Sequence, residues 1–401
     1  MWHTVGFTDT DGMDPEGSVG RATIQGVIMS DVVLEVDGLT RRFGDVVPTL
    51  TEESIKMVKC VVWDLDDTMW TGTISAGDDV VLKDGIADLI RTLDERGILQ
   101  SIASKNNHDD CWAKLEEFGI AEYFLHPQIS WNSKAWSIMQ IQNRLNIGFD
   151  TIVFVDDQEF ERDEVRFSHP DVETIDACDY LDLATAPRLS PKVVTEDARR
   201  RRLMYIENVA REEAEQAYEG PKDEFLAGLG MVFRISRAQG QDLHRLEELT
   251  QRTNQLNSTG IHYSLEDLER LKDDPAHDLW VCELADRYGN YGKIGMALVS
   301  KVDTEWTIEL LLMSCRTLSK GAGTVLLAFL VQRAAERHAR LFARFRRTSR
   351  NRQMLLTYQL ANFEVVSRDG DDYLYWNDLT VVPEYPEYIQ IDINYGEGDK
   401  E

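Results

Sequence analysis

Cysteine is scarce in this chain: there are five in 401 residues, at positions 60, 111, 178, 282 and 315, and none forms a CxxC pair. An odd, scattered set excludes a disulfide framework and a zinc ribbon. Long apolar runs are missing as well. None approaches the roughly 18 to 20 residues that a bilayer span needs, and the first thirty residues lack the basic-then-apolar layout of a signal peptide. Positive charge is in deficit: 43 Lys and Arg face 71 Asp and Glu, a formal net charge of −28. Most of such a surface repels a phosphate backbone, which excludes broad nucleic-acid binding. A phosphate-cradling GxxxxGK[ST] loop is absent too, so the stretch LEVDGLTRRFGD at 34–45, which opens like a transporter ATPase, is expected to be no more than a peripheral strand and turn. Together these absences predict a cytoplasmic chain with reduced thiols and no membrane partner.

What is present organises itself into two globular regions. The length suits two domains, and residues 1–57 read as an N-terminal extension, aperiodic at first and expected to be partly disordered. From Val58 the pattern becomes short apolar runs separated by amphipathic, helix-length segments, the rhythm of βαβ units and a parallel sheet. VKCVVWDLDDT, ILQSIASKNN and DTIVFVDDQ are three such runs, each ending in polar residues, with helices expected over 85–95 and 109–118 and another starting in SWNSKAWSIMQIQNRL at 130–145. This α/β domain is placed at 58–190. A charged helical connector follows at 191–222. The region 223–401 reads as α+β, with helices over 241–250 and 264–272, strands over 278–284, 294–302 and 305–313, and a long helix from 321 to 338.

In open α/β sheets ligands bind outside the carboxyl ends of the strands, and there the chemistry-bearing residues collect. Asp64 and Asp66 end the first run in the pattern D-x-D-x-T, completed by Thr68. One carboxylate can attack phosphorus to form an aspartyl-phosphate, while the second protonates the leaving oxygen and later activates water. Two anions facing a phosphate need Mg²⁺, for which Asp64, the Asp66 carbonyl, Asp156 and Asp157 offer hard oxygen ligands. Ser104 can hydrogen-bond phosphoryl oxygens, with Lys105 and Asn106 beside it in the same loop. Lys134, in W-x-x-K, can neutralise their charge. Each element alone has an ordinary surface explanation; four in order, at separations of about 40, 30 and 22 residues, are hard to obtain by accident.

With these motifs the region resembles the haloacid dehalogenase (HAD) phosphatase superfamily. The short distance from Asp66 to the next helix implies a Rossmann-like domain of that type without a large cap. VWDLDDTMWTG, SKNN, VDDQEFERDEVR, TQRTNQLN and MSCRTLSKG, in this order, further resemble the FkbH-like proteins of polyketide assembly. That resemblance covers about three quarters of the chain and implies a HAD-type domain joined to a GNAT-like acyltransferase domain. It also implies an activity: capture of 1,3-bisphosphoglycerate, removal of its phosphates, and loading of a glyceryl unit on the phosphopantetheine thiol of an acyl carrier protein. Asp67 departs from the family, which usually has Asn there.

An acyl phosphate is open to displacement by a thiolate. Cys315 ends a predicted strand before Arg316 and the loop that opens the long helix, where amide groups, helix dipole and Arg316 would lower a thiol pKa. It can equally be a small core residue. Cys60, on a buried strand, is the less favoured acyl carrier. Arg316 to Gly321 resembles the acetyltransferase loop that binds the coenzyme A pyrophosphate, with Ser319 in place of its first glycine; a pantetheine arm carries one phosphate and would ask less of it. Asn254 and Asn257 can hydrogen-bond the pantetheine or glyceryl group, or cap a helix end. Eight arginines between Arg333 and Arg352 read as a basic helix for an acidic carrier protein, with Arg337, Arg344 and Arg347 as docking residues. Two other classes compete: a stand-alone HAD phosphatase of a soluble phosphometabolite or phosphoprotein, and a non-enzymatic scaffold that recruits carrier proteins.

Overall fold

Apolar runs of strand length, buried on both faces, dominate the first half of the fold. The computed structural model describes residues 33–36, 39–42 and 56–396, and within them the side chains of 33–36, 39–42, Cys315, Leu318 and Ser319 are outside the description. The disorder expected near the N-terminus therefore falls outside the described residues. Strands β1 (Val33–Val36) and β2 (Leu39–Arg42) pair antiparallel, and the rest of the expected strand and turn lies outside the described residues. Residues from 56 onward belong to a separate compact unit.

That unit begins with β3 (Cys60–Trp63), the small hairpin β4 (Trp70–Thr71) and β5 (Val81–Leu82), and then β6 (Leu99–Ser104), β7 (Gln128–Ile129), β8 (Ile152–Asp156) and β9 (Glu173–Asp176). Five of these form a parallel sheet in the order β7-β6-β3-β8-β9. Alternate side chains feed two cores. Val61, Trp63 and Ile102 pack with the helices Ile86–Glu95 and His108–Glu117. Cys60, Val62 and Phe154 pack with Lys134–Leu145 and Glu159–Ser168 on the other face. β3 is central, with β6 on one side and β8 on the other, so the crossovers change face at β3. This topological switch point leaves the crevice outside the carboxyl ends of β3 and β8 open. The hairpin β4–β5 is the whole of the folded insertion between Asp66 and the first helix, in keeping with the expected lack of a large cap.

The second domain is a mixed eight-stranded sheet of β10 (Met231–Arg237), β11 (His277–Asp286), β12 (Gly289–Val302), β13 (Glu305–Met313), β14 (Arg340–Arg346), β15 (Phe363–Asp369), β16 (Asp372–Asn377) and β17 (Ile389–Asn394). Its order is β15-β16-β14-β13-β12-β11-β10-β17, parallel at β13–β14 and β10–β17 and otherwise antiparallel. The crossover helix Ala322–Glu336 is apolar almost all round and lies in the core on one face; Leu243–Arg252 and Leu265–Asp273 cover the other. Within 191–222 the longest helix is Arg201–Gln216.

The arginine run corrects an expectation. The helix ends at Glu336, and Arg340–Arg346 is strand β14: every second residue, Leu341, Ala343 and Phe345, is buried, while on the other face Arg340 and Arg346 are exposed and Phe342 is covered. A period of two cannot serve a helix. The arginines consequently point several ways and meet acids of this chain: Arg340 pairs with Glu305 (3.2 Å), Arg344 with Glu309 (2.6 Å) and Arg346 with Asp372 (2.7 Å). Arg333 is buried against the rings of Trp280 and Tyr395. Arg337 follows the helix and Arg347 follows β14, so the two lie at opposite ends of that strand rather than on one docking face.

Candidate active site

Asp64 stands one residue beyond β3, and its backbone N–H bonds to the Val155 carbonyl of β8 (2.9 Å), which fixes the carboxylate at the switch point. Asp64 and Asp156 are almost fully buried, Asp157 partly so. One oxygen from each of the three lies within 4.8 Å of the others. Lys134 opens the helix that follows β7, and it too is buried. Its ammonium lies 2.5 Å from Asp64 Oδ1 and 2.8 Å from Asp156 Oδ2. Burial alone would lower the Lys134 pKa, but the two carboxylates outweigh it and the net direction is upward. Asp156 is raised by burial and by repulsion from Asp64, against the opposing pull of Lys134. Asp157 is raised mainly by burial, then by Asp64. One lysine thus leaves three converging acids short of positive charge. A compact set of carboxylate oxygens that is short of charge fits a hard dication such as Mg²⁺.

Asp66 does not join this set with its side chain. Its Oδ1 accepts from Trp70 Nε1 (2.8 Å) and the Ile74 N–H (3.2 Å), and its Oδ2 from Asn106 Nδ2 (2.8 Å). Desolvation raises its pKa in spite of these donors. Asp66 is therefore oriented separately from the ligand cluster and biased toward the protonated form that an acid requires. Thr68 closes the turn: its hydroxyl accepts from the Asp157 N–H (3.1 Å), tying the D-x-D-x-T loop to the end of β8. Asp67 has φ of +50°, a left-handed conformation that Asp and Asn tolerate, and its carboxylate accepts from the Gly72 N–H (2.9 Å). The Asp-for-Asn departure thus caps a turn at an exposed position and adds no ligand to the cluster.

Ser104 ends β6 and is buried at the same mouth. Its two neighbours have other engagements: Lys105 pairs with Glu161 (2.8 Å), and Asn106 holds Asp66. Sequence reasoning missed Trp70 altogether. Its spacing of four from Asp66 was the available signal, but a turn and not a helix makes the contact. Arg162 was missed too; it holds the Asp156 carbonyl (2.7 Å) and Asp176 (2.6 Å), bracing the end of β8.

The residues grouped around the thiol are not brought to the carboxylates. Cys315 opens a 3₁₀ turn, Cys315–Lys320, directly after β13, and Gly321 with φ of +74° starts the crossover helix. The thiol itself lies outside the described side chains. Arg316 donates to the Tyr291 carbonyl (3.1 Å). Asn257 is fully buried, and its Oδ1 accepts from the Thr259 (3.1 Å) and Gly260 (2.8 Å) N–H groups while its amide points to the Thr253 carbonyl. This side chain closes its own loop. β13 and β14 pair only from Glu305↔Arg340 to Ile308↔Ala343. Beyond that point the loop itself bonds to both strands, through Met313 N–H to Leu256 O (2.9 Å), Ser258 N–H to Leu311 O (3.0 Å) and Arg346 N–H to Ser258 O (2.9 Å). Asn254 is half-buried beside it. Cys60 is completely buried, and desolvation pushes its thiol far above the ordinary range, a packing residue and not a nucleophile. Burial likewise raises Cys111, to about 12.

No family model matches the chain. Among curated proteins, magnesium-dependent phosphatase 1 of Homo sapiens is 26% identical over 122 residues, covering 26% of this chain and 69% of that protein. Among solved structures, the N-terminal part of a Bacteroides fragilis protein, containing a phosphatase domain and complexed with Mg, is 32% identical over 32% of this chain, with a TM-score of 0.28. This chain spans 39% of that one. The ribosomal-protein-S18-alanine N-acetyltransferase of Escherichia coli is 15% identical over 38% of this chain and 97% of its own, with a TM-score of 0.30. The chain is thus similar in sequence to a magnesium-dependent phosphatase. No helix among the described residues is long and apolar enough to cross a membrane.

Proposed function

We propose that this protein is a Mg²⁺-dependent phosphatase of the HAD type joined to an acyltransferase, and that it acts on 1,3-bisphosphoglycerate to load a glyceryl unit on an acyl carrier protein. The observation that carries the phosphatase half is the convergence of Asp64, Asp156, Asp157 and Lys134 at the mouth of the parallel sheet, with Asp66 held apart by its own donors. An Asp64 oxygen attacks phosphorus and the P–O bond to carbon 3 breaks, the proton on Asp66 passing to the departing alkoxide. Asp66, now a carboxylate, takes a proton from water, whose oxygen attacks phosphorus and frees Asp64 and inorganic phosphate. Ser104 and Lys134 face the phosphoryl oxygens. Asp64, Asp156 and Asp157 would hold the metal ion, which when bound would supply charge neutralisation for the phosphoryl group.

The acyl half rests on the resemblance given by MSCRTLSKG and TQRTNQLN. The Cys315 thiolate would displace the acyl phosphate of carbon 1, forming a C–S bond as the C–O bond to phosphate breaks. Exchange with the carrier thiol is nearly isoenergetic and needs mainly positioning. The carrier would meet local arginines, among them Arg347, on an otherwise acidic chain. A second reading is a phosphatase of soluble esters with a regulatory C-terminal domain. It is favoured by the loop Leu256–Ser258, which bonds to both β13 and β14 and turns the Asn257 side chain onto its own loop.

Mass spectrometry of the protein mixed with 1,3-bisphosphoglycerate and holo carrier protein tests the proposal. A glyceryl or phosphoglyceryl adduct that vanishes in Cys315→Ala is expected, and an adduct intact in that variant sinks the thiol assignment. Asp64→Asn should leave the 3-phosphate in place; normal dephosphorylation by it would refute the aspartyl-phosphate route.

A further inference from the structure

The connector and the second domain meet the first domain at one end of its parallel sheet, and it is the end away from the carboxylates. Lys59, immediately before β3, donates to the Arg252 carbonyl (2.7 Å). The carbonyl of Gly97, two residues before β6, accepts from Arg201 (2.6 Å), and a Cβ at Gly97 would lie 2.6 Å from the Ala198 carbonyl oxygen. Asp150, two residues before β8, pairs with Arg350 (3.0 Å). Arg202 reaches Asp94 (3.0 Å) and Tyr205 the Leu145 carbonyl (3.3 Å), both at helix ends that lead back into the same edge. All of these are amino ends. Because the strands are parallel, Asp64, Ser104 and Asp156 lie at the opposite edge. At about 3.3 Å per residue, Lys59 and Asp64 are separated by roughly 16 Å of sheet.

The turn Cys315–Lys320 sits on the second domain's side of this layer, where Arg316 bonds to Tyr291 of β12 and Lys320 pairs with Glu215 of the connector (3.4 Å). At the carboxylate edge the mouth faces solvent. Trp131 and Phe160, on the segments that lead into Lys134 and out of Asp157, are 71% and 76% exposed. A group held at that turn lies across roughly 16 Å of sheet from Asp64, on the opposite end of the first domain.

We propose that the phosphate monoester cleaved at Asp64 arrives from solvent, as a free ester or on a separate carrier, and never while attached to the second domain of the same chain. This deepens the function proposed above and rests on it for the identity of the acyl group. In reaction order, phosphate removal then precedes acyl capture or follows acyl transfer, and the two halves of the chain exchange a diffusible intermediate.

The test uses full-length proteins. The Asp64→Asn variant with 1,3-bisphosphoglycerate and holo carrier should yield phosphoglyceryl-carrier, which is purified free of enzyme. Wild-type protein is then given this species, or free 3-phosphoglycerate, and phosphate release is followed. Saturable release from either one, at least tenfold above that with Asp64→Asn, supports the inference, and the ester that reacts identifies the source. Release from neither, together with no loss of the 3-phosphate from 1,3-bisphosphoglycerate in Cys315→Ala, while wild-type protein still converts 1,3-bisphosphoglycerate to dephosphorylated carrier, would place the chemistry on the chain-bound group and overturn it; loss of that phosphate in Cys315→Ala supports entry as the free ester. If wild-type protein loads no carrier, the transfer function fails. The 3-phosphoglycerate arm then decides alone: Asp64-dependent release upholds solvent entry, and none overturns it.

Discussion

Two acids two residues apart have been given different surroundings, and that difference sets their chemistry. Asp64 is ion-paired with Lys134, whereas Asp66 is desolvated and hydrogen-bonded away from the ligand cluster. The Trp70 indole donates to the Asp66 carboxylate and so favours its charged form. Trp70→Phe removes that donor and should raise the Asp66 pKa further. The acid is needed protonated, so the high-pH limb of kcat/KM for phosphate release should move upward. A limb that stays in place would show that Asp66 is not the proton donor. Lys134 gives a second handle. Lys134→Met leaves Asp64 and Asp156 buried together without a cation, at a cost of about 3–5 kcal/mol. A dication bound by the same oxygens would offset part of it. The variant should therefore melt far below wild type in a chelator and gain more from added Mg²⁺ than wild type does, as differential scanning fluorimetry would show.

Among the elements, those whose roles were plain beforehand are strands ending in acids. CVVWD and IVFVD are apolar on both faces and polar at the end, and the parallel sheet with Asp64 and Asp156 at its mouth follows from that pattern alone. What the linear pattern did not contain were contacts made across turns and between distant segments. Asn106 looked like a phosphate ligand because it follows Ser104, yet its partner is Asp66, forty residues earlier. The arginine run looked helical because charge density hid the alternation of Leu341, Ala343 and Phe345. Asp67 illustrates an element-scale prediction. Its left-handed φ and its bond to Gly72 hold the loop that presents Asp66. Asp67→Asn should retain stability and phosphate release, whereas Asp67→Val, β-branched at a positive φ, should cost about 1–2 kcal/mol and loosen the loop. Equal melting temperatures for the two variants would remove the turn from the account.

At the scale of the molecule, the two domains are riveted by buried charge rather than by a shared core. Glu248 accepts from Thr195 (2.8 Å) and Arg245 (2.9 Å) and pairs with Arg201, whose other nitrogen binds the Gly97 carbonyl of the first domain. Asp197 adds a second acid to Arg245 (2.8 Å). Burial by itself would raise the Glu248 pKa, but Arg201, Arg245 and Arg252 hold it well below the usual carboxylate range. The sign of the pH effect follows from that direction. A depressed carboxylate contributes stability that is fully present above its unfolded pKa, about 4.3, and lost as pH falls through the folded value. From pH 7 down to about 5 the domain contact should hold constant, and it should weaken only in more acid solution. Glu248→Gln removes the counter-charge at every pH and leaves the arginines facing one another, at a cost of about 3–5 kcal/mol. Calorimetry near pH 7 should then show the wild type melting in one transition and the variant in two, the first domain separating from the second. Because Asp64 faces away from this contact, Mg²⁺ should still shift the melt of the separated first domain. A single unshifted transition in the variant would show that the ionic rivet does not couple the domains.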